Sequence, residues 1–224
     1  VVLVIFIFNI QPARANMKSL AALKYLTYQP EAGLELMKEA IAFNSPHIDD
    51  IRGDLSRTAA QVLSDQSAAK LPKEKGLELF NLAHDALLIN TELHPYDIRN
   101  YLTLSQLGQV GYALTTDPRY ISEYGEYLSK ALIYSPKRQQ IIYNLANFYL
   151  QTGRTDESVK LLEETLKDGP TVAESYWRLA YLYKLTGKTE KVKEVLDLAV
   201  QNKIVFDAQQ QEVIRQISAP APLK

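Results

Sequence analysis

The chain contains no cysteine. That absence removes thiolate nucleophiles, disulfides and cysteine-based zinc sites together, while leaving both reducing and oxidising compartments open. Glycine is scarce, at 9 of 224 residues, and no glycine-rich phosphate loop, nucleophile elbow or paired-carboxylate motif can be assembled from the sequence. Excess charge of either sign is missing too. The 25 Lys plus Arg balance 26 Asp plus Glu without a basic cluster, so the electrostatic footprint of a nucleic-acid binder is absent. Hydrophobic content of 46% and a charged fraction of 23% describe an ordinary globular chain, long enough to bury a substantial core.

What the sequence does have is a repeat. From Asn144, "NLANFYLQTGRTDESVKLLEETLKDGP" is followed by "RLAYLYKLTGKTEKVKEVLDLAVQN" at a constant offset of 34 residues. Leu145 maps to Leu179, Ala146 to Ala180, Tyr149 to Tyr183, Gly153 to Gly187 and Leu162 to Leu196. A period of this kind marks stacked supersecondary units. Ala146 and Ala180 suit the point where two helices approach closely, and Gly153 and Gly187 suit a left-handed helix end. Thr155 and Thr189 then stand where a capping side chain is expected. Val159, Leu162 and Leu166, or Val192, Val195, Leu196 and Ala199, recur at three-and-four spacing on the second helices.

Upstream the period loosens but helix patterning continues. "PEAGLELMKEAIAFNSP" reads as a second helix with Ala40 at the small position, "HIDDIRGDLSRTAAQVLSDQ" and "PKEKGLELFNLAHDALLIN" as a pair, and "DIRNYLTLSQLGQVGYAL" with "YLSKALIYSP" as another. In that last pair Leu107-Gly108 takes the place of Leu-Ala, and Ala131 is the small residue of the second helix. The expected fold is all-α: a right-handed solenoid of antiparallel helix pairs. Residues 11–136 would form degenerate pairs and 137–202 two well-formed repeats. Residues 203–217 would give a polar capping helix and 218–224 a tail.

The 34-residue pattern over about 137–202 resembles the tetratricopeptide repeat, a noncatalytic interaction module. The first 55 residues are similar to a junction in bacterial O-antigen ligase/polymerase-type membrane proteins. The shared pieces are an apolar helix end, an Asn-Ile-x-Pro exit, a "KYLTYQPEAGLE" helix pair and an "NSP" stop before an Ile-Arg helix. That resemblance implies an extracytoplasmic repeat domain of a bacterial membrane glycosyltransferase whose catalytic groups lie outside this sequence. The opening "VVLVIFIFNIQPARAN" fits it as the exit of a transmembrane helix, since a full span needs about 20 apolar residues. It also fits the end of a signal peptide, with "ARA" before Asn16 as the small-x-small cleavage pattern. Cleavage there would give a free secreted or periplasmic adaptor.

No chemistry-bearing constellation emerges. His47, His84 and His94 are too far apart in sequence for a helical metal pair, and Asp49, Asp50 and Asp54 lack calcium-loop spacing and suit the first turn of a helix. No cofactor, metal or catalytic residue is expected. The repeat resemblance instead implies a concave groove lined by the first helices, with Tyr143, Asn144, Asn147 and Gln151 from one and Trp177, Arg178, Tyr181 and Lys184 from the next. The expected ligand is a protein or peptide segment, or a sugar ring stacked on Trp177.

Overall fold

The 34-residue offset reappears in the backbone. The computed structural model describes residues 10–43, 45–65 and 71–219, all helix, turn or irregular chain with no strand among them. The apolar opening, Val1 to Phe8, lies outside the described residues, as does all but the start of the 218–224 tail. The chain divides into two compact units, Val1–Ser135 and Pro136–Lys224.

In the second unit the helices are α7 Gln139–Gln151, α8 Thr155–Asp168, α9 Ala173–Leu185, α10 Thr189–Gln201 and α11 Ala208–Ser218. The label numbers continue from six helices, α1–α6, in the first unit. Helices α7 and α9 both begin and end at the same offset, and α8 and α10 begin at it. Each of α7 and α9 ends in a glycine with positive φ, +76° at Gly153 and +70° at Gly187. The N–H of the following residue reaches back to Tyr149 O at 2.7 Å or Tyr183 O at 2.8 Å, while the glycine N–H bonds Leu150 O or Lys184 O. This double closure is a Schellman end, which satisfies carbonyls that a helix otherwise leaves open. The chain can then turn back at once. Helix α7 packs on α8, α8 on α9, α9 on α10, and α11 on α9.

Thr155 and Thr189 correct one expectation. They are the first helical residues, the cap positions belong to Arg154 and Lys188, and neither helix has a side-chain cap bond. The clasp sits one turn later, where fully buried Ser158 donates to Ala146 O at 2.8 Å across the helix pair. Ala146 and Ala180 are buried as expected, with Val159, Leu162, Leu166, Val192, Val195 and Ala199, whereas Leu196 is half-buried.

The first unit comprises α1 Gln11–Tyr28, α2 Pro30–Ile41, α3 Ile48–Ser64, α4 Lys73–Leu93, α5 Ile98–Thr115 and α6 Arg119–Tyr134. Consecutive pairs α1/α2, α3/α4 and α5/α6 pack together, and α2/α3, α1/α3, α3/α5 and α4/α5 contacts stack them. Leu26, Leu34, Met37, Leu55, Leu79, Phe80, Leu87, Leu104 and Leu107 have no exposure at all and form the core between pairs. Each crossing is made by a small residue. A Cβ on Gly33 would stand 2.3 Å from Leu26 N, and one on Gly108 2.8 Å from Tyr120 O, so backbone meets backbone there. Between α3 and α4 a buried serine serves instead, Ser56 donating to Ala83 O at 3.0 Å. A further device recurs in both units: Tyr101 donates to Pro95 O at 2.9 Å and Tyr176 to Pro170 O at 2.6 Å, each pinning the loop before its own helix.

These geometries sort the glycines. Gly33→Ala and Gly108→Ala are expected to destabilise by about 1–3 kcal/mol through overpacking. Gly76→Ala, whose new Cβ meets only Leu63 Cδ2 at 3.8 Å and Leu114 Cδ2 at 3.9 Å, should instead stabilise by about 0.5–1 kcal/mol from helix propensity. Lys203 occupies the left-handed region at φ +54°, so Lys203→Gly should raise stability by roughly 0.5–1 kcal/mol. Urea unfolding of the four variants checks all of these signs.

Candidate ligand-binding face on α7 and α9

Tyr143 is the hinge of this face. Its ring is buried on α7 at 4% exposure, and its hydroxyl shares a hydrogen bond of 2.8 Å with the fully buried Ser175 of α9. Burial pushes the Tyr143 hydroxyl above its ordinary pKa, so it stays a neutral phenol that ties the two helices together. Tyr143 thus meets the face with a buried ring. Above the ring lies Arg178, its guanidinium 4.7 Å from the Tyr143 centroid and 4.6 Å from that of Trp177. Glu174, one turn earlier, holds the guanidinium with contacts of 2.8 Å from Nε and 2.6 Å from an Nη. The cation is thereby oriented by a carboxylate and two aromatic faces, which restricts it far more than a solvated surface arginine.

Tyr143, Asn147, Trp177, Arg178 and Tyr181 line one shallow cleft of about 90 Å³, with Leu150 and Leu182 as its apolar floor. Asn147 is exposed and Tyr181 43% exposed, so both offer groups to solvent at the rim. The indole Nε1 of Trp177 is buried without a hydrogen-bond partner. An unmade bond of that kind costs about 1–3 kcal/mol, and among the described residues only Asn90 Oδ1 and Arg52 Nε share this condition among buried side-chain atoms.

Three of the expected groove residues fall outside this cleft. Asn144 is half-buried and Gln151 exposed. Lys184 is occupied elsewhere: its ammonium donates to the carbonyls of Gln216, Ile217 and Ala219 at 2.9, 2.5 and 2.8 Å. It closes the C-terminus of α11, where open carbonyls and the helix dipole both favour a cation. Lys184 therefore leaves the ligand-binding set and becomes the tie between α9 and α11. Sequence reasoning passed over Glu174 and Ser175. The i,i+4 spacing of Glu174 and Arg178 was the available signal for the first.

None of the three histidines lines this cleft. His84 is stacked on Phe80 and 3.2 Å from Glu123, His94 pairs with Asp49 at 2.8 Å, and His47 stands at the start of α3. Among the described residues, no three His, Asp or Glu side chains come together as a metal site.

Two models of the tetratricopeptide repeat match the sequence, one at residues 125–180 and one at 173–203. Together the two matches span residues 125–203, which are similar to tetratricopeptide repeats. Among solved structures, a crystal structure of MamA protein superposes with a TM-score of 0.57 at 15% identity, covering 84% of this chain and 91% of that one. TTC0263, a thermophilic TPR protein of Thermus thermophilus, gives 0.52 at 18% identity, covering 91% and 98%. At such identities the likeness is one of fold. No curated protein matches the sequence. TPR repeats are typically noncatalytic scaffolds that bind protein or peptide partners.

If Lys184 is the cap of α11, Lys184→Ala should selectively loosen that helix, which buries only Ile217. The expected loss is about 1–2 kcal/mol of local stability, read as faster amide hydrogen exchange across Ala208–Ser218. Tyr181→Ala should leave that exchange unchanged.

Proposed function

We propose that the chain is a TPR scaffold that holds a segment of a partner polypeptide against the α7–α9 cleft. The observation that carries this reading is the buried, partnerless Trp177 Nε1 beside the oriented Arg178 and the exposed Tyr181. A donor of this kind gains a full hydrogen bond when a small turn of the indole meets a backbone carbonyl of the bound segment. Asn147 at the rim can pair with peptide amides, and Tyr181 supplies apolar area. A sugar ring stacked on Trp177 would be confined to the face opposite Arg178, which covers one side.

We further propose that this scaffold works on the extracytoplasmic side of a bacterial membrane, attached to an O-antigen ligase/polymerase-type glycosyltransferase. Support comes from the resemblance of the first 55 residues, with Val1–Phe8 read as the exit of a membrane helix. No helix of the described residues is long and apolar enough to cross a membrane. One structural feature favours an anchor over a cleaved signal. The "ARA" before Asn16 lies inside α1, and cleavage after Ala15 would strip the buried Pro12 and Ala15 from that helix. Membrane fractionation of the protein expressed from its whole gene should place it in the membrane fraction with residues 137–202 open to external protease. Recovery in the soluble periplasm would support the adaptor alternative.

Selection of displayed peptides on the chain, followed by affinity measurement, tests the cleft itself. Trp177→Phe removes the indole N–H while keeping an aromatic ring, and should weaken selected peptides by roughly tenfold, about 1.4 kcal/mol, while leaving or improving thermal stability. Tyr181→Ala should weaken them similarly. Unchanged affinity in both variants would remove the site.

A further inference from the structure

The first unit holds a second and larger cleft, of about 310 Å³, where the first turns of α3 meet the end of α4 and the start of α5. Asp49, Asp50 and Asp54 line it from α3, and Asp97 lines it from the N-cap of α5. Two arginines answer them: Arg57 pairs with Asp54 at 3.0 Å, and Arg99 with Asp97 at 2.7 Å. Asp49 is met by Arg52 from behind at 3.1 Å and by His94 at 2.8 Å. Asp50 is exposed, is in no ion pair within 4 Å among the described residues, and feels Arg99 only at longer range. Four aspartates line the cleft against Arg57 and Arg99, and Arg52 offsets Asp49, so an excess of one negative charge remains.

Acidic residues at a helix start are ordinary, and these alone would mark nothing. Asn90 is the independent sign. It lines the cleft at 2% exposure, and its Nδ2 donates to Asp49 O at 2.8 Å, which fixes the amide, since the flipped form would set two oxygens against each other. Its Oδ1 is then left buried with no donor. The lining thus combines a buried acceptor that has no donor with a surplus of carboxylates over cations. A metal ion does not fit, for no three acidic or imidazole groups of the described residues converge on one point. Anions are repelled. A cationic N–H group supplies both missing elements at once.

We propose that this cleft receives the guanidinium of an arginine side chain from a partner polypeptide, its N–H groups donating to Asp50 and Asp54 and, after a small shift of the Asn90 side chain, to Asn90 Oδ1. A guanidinium suits these separated acceptors better than an ammonium because its planar fork presents five donors in fixed directions. Gly53, which lies between the two aspartates on α3, adds no side chain to the cleft and leaves room for the arginine methylenes. This site is independent of the α7–α9 cleft and of the reading proposed for it.

The test is an NMR titration of the whole chain with acetyl-Gly-Arg-Gly-Arg-Gly-amide and with its citrulline counterpart. The arginine peptide should bind about tenfold more tightly, with saturating shifts at Gly53, Asn100 and the Asn90 side-chain amide, and more weakly as salt rises. The double variant Asp50→Asn/Asp54→Asn, which changes only exposed carboxylates, should lose about fivefold or more of that affinity, whereas Trp177→Phe should lose none. Equal binding of the two peptides, shifts scattered away from these residues, or full affinity in the double variant would overturn the proposal. So would tighter binding of free spermidine than of the arginine peptide, which would take the site from polypeptides.

Discussion

Everything in this molecule depends on how closely two successive helices can approach. Where they cross, one helix must present almost nothing, because a longer side chain would hold the axes apart and leave the flanking leucines out of contact. The chain meets that constraint in three ways. At Gly33 and Gly108 the side chain is absent and the partner backbone fills the space. Ala146 and Ala180 leave one buried methyl. Ser56 and Ser158 add a hydroxyl, which joins the partner backbone through the carbonyls of Ala83 and Ala146. The leucine layers follow from these crossings, since only a close pair can present one continuous apolar face to the next pair.

This explains why the second unit was legible and the first only partly so. In residues 137–202 both copies meet the constraint with alanine and both turn on a glycine at positive φ, so identity of residues and identity of geometry coincide. In the first unit the same geometry is reached with glycine, serine or alanine and with loops of differing length. The helix periodicity survives there, but the repeat does not show as self-similarity. The glycine signal also fails once within the good repeats. Gly169 ends α8 with φ −139°, whereas its equivalent Lys203 ends α10 in the left-handed region, the reverse of what residue type suggests.

The binding face shows a different limit. Alignment to a repeat told which side of α7 and α9 a residue occupies, and Asn147, Trp177, Arg178 and Tyr181 do meet in one cleft. It could not tell that Tyr143 would be buried against Ser175, or that α11 would take Lys184 as its cap, because both outcomes depend on neighbours that the two-copy pattern does not contain. The acidic cleft of the first unit was beyond spacing arguments altogether. Asp49 and His94 are 45 residues apart, and Asp49 and Asn90 are 41 apart, so only the packing of α3 against α4 brings them into contact.

Three buried side-chain atoms lack a hydrogen-bond partner among the described residues: Trp177 Nε1, Asn90 Oδ1 and Arg52 Nε. Each costs about 1–3 kcal/mol, a large share of the roughly 5–15 kcal/mol by which a typical domain is stable. Two of the three lie on residues that line a cleft. Trp177 lines one cleft, Asn90 lines the other, and Arg52 braces Asp49 on the wall of that same cleft. The helix crossings, where most of the backbone is buried, are by contrast well satisfied, down to serine hydroxyls that find specific carbonyls. Two of the three unmet atoms, Trp177 Nε1 and Asn90 Oδ1, thus belong to residues that line surface clefts, and that shared observation is what both binding proposals rest on.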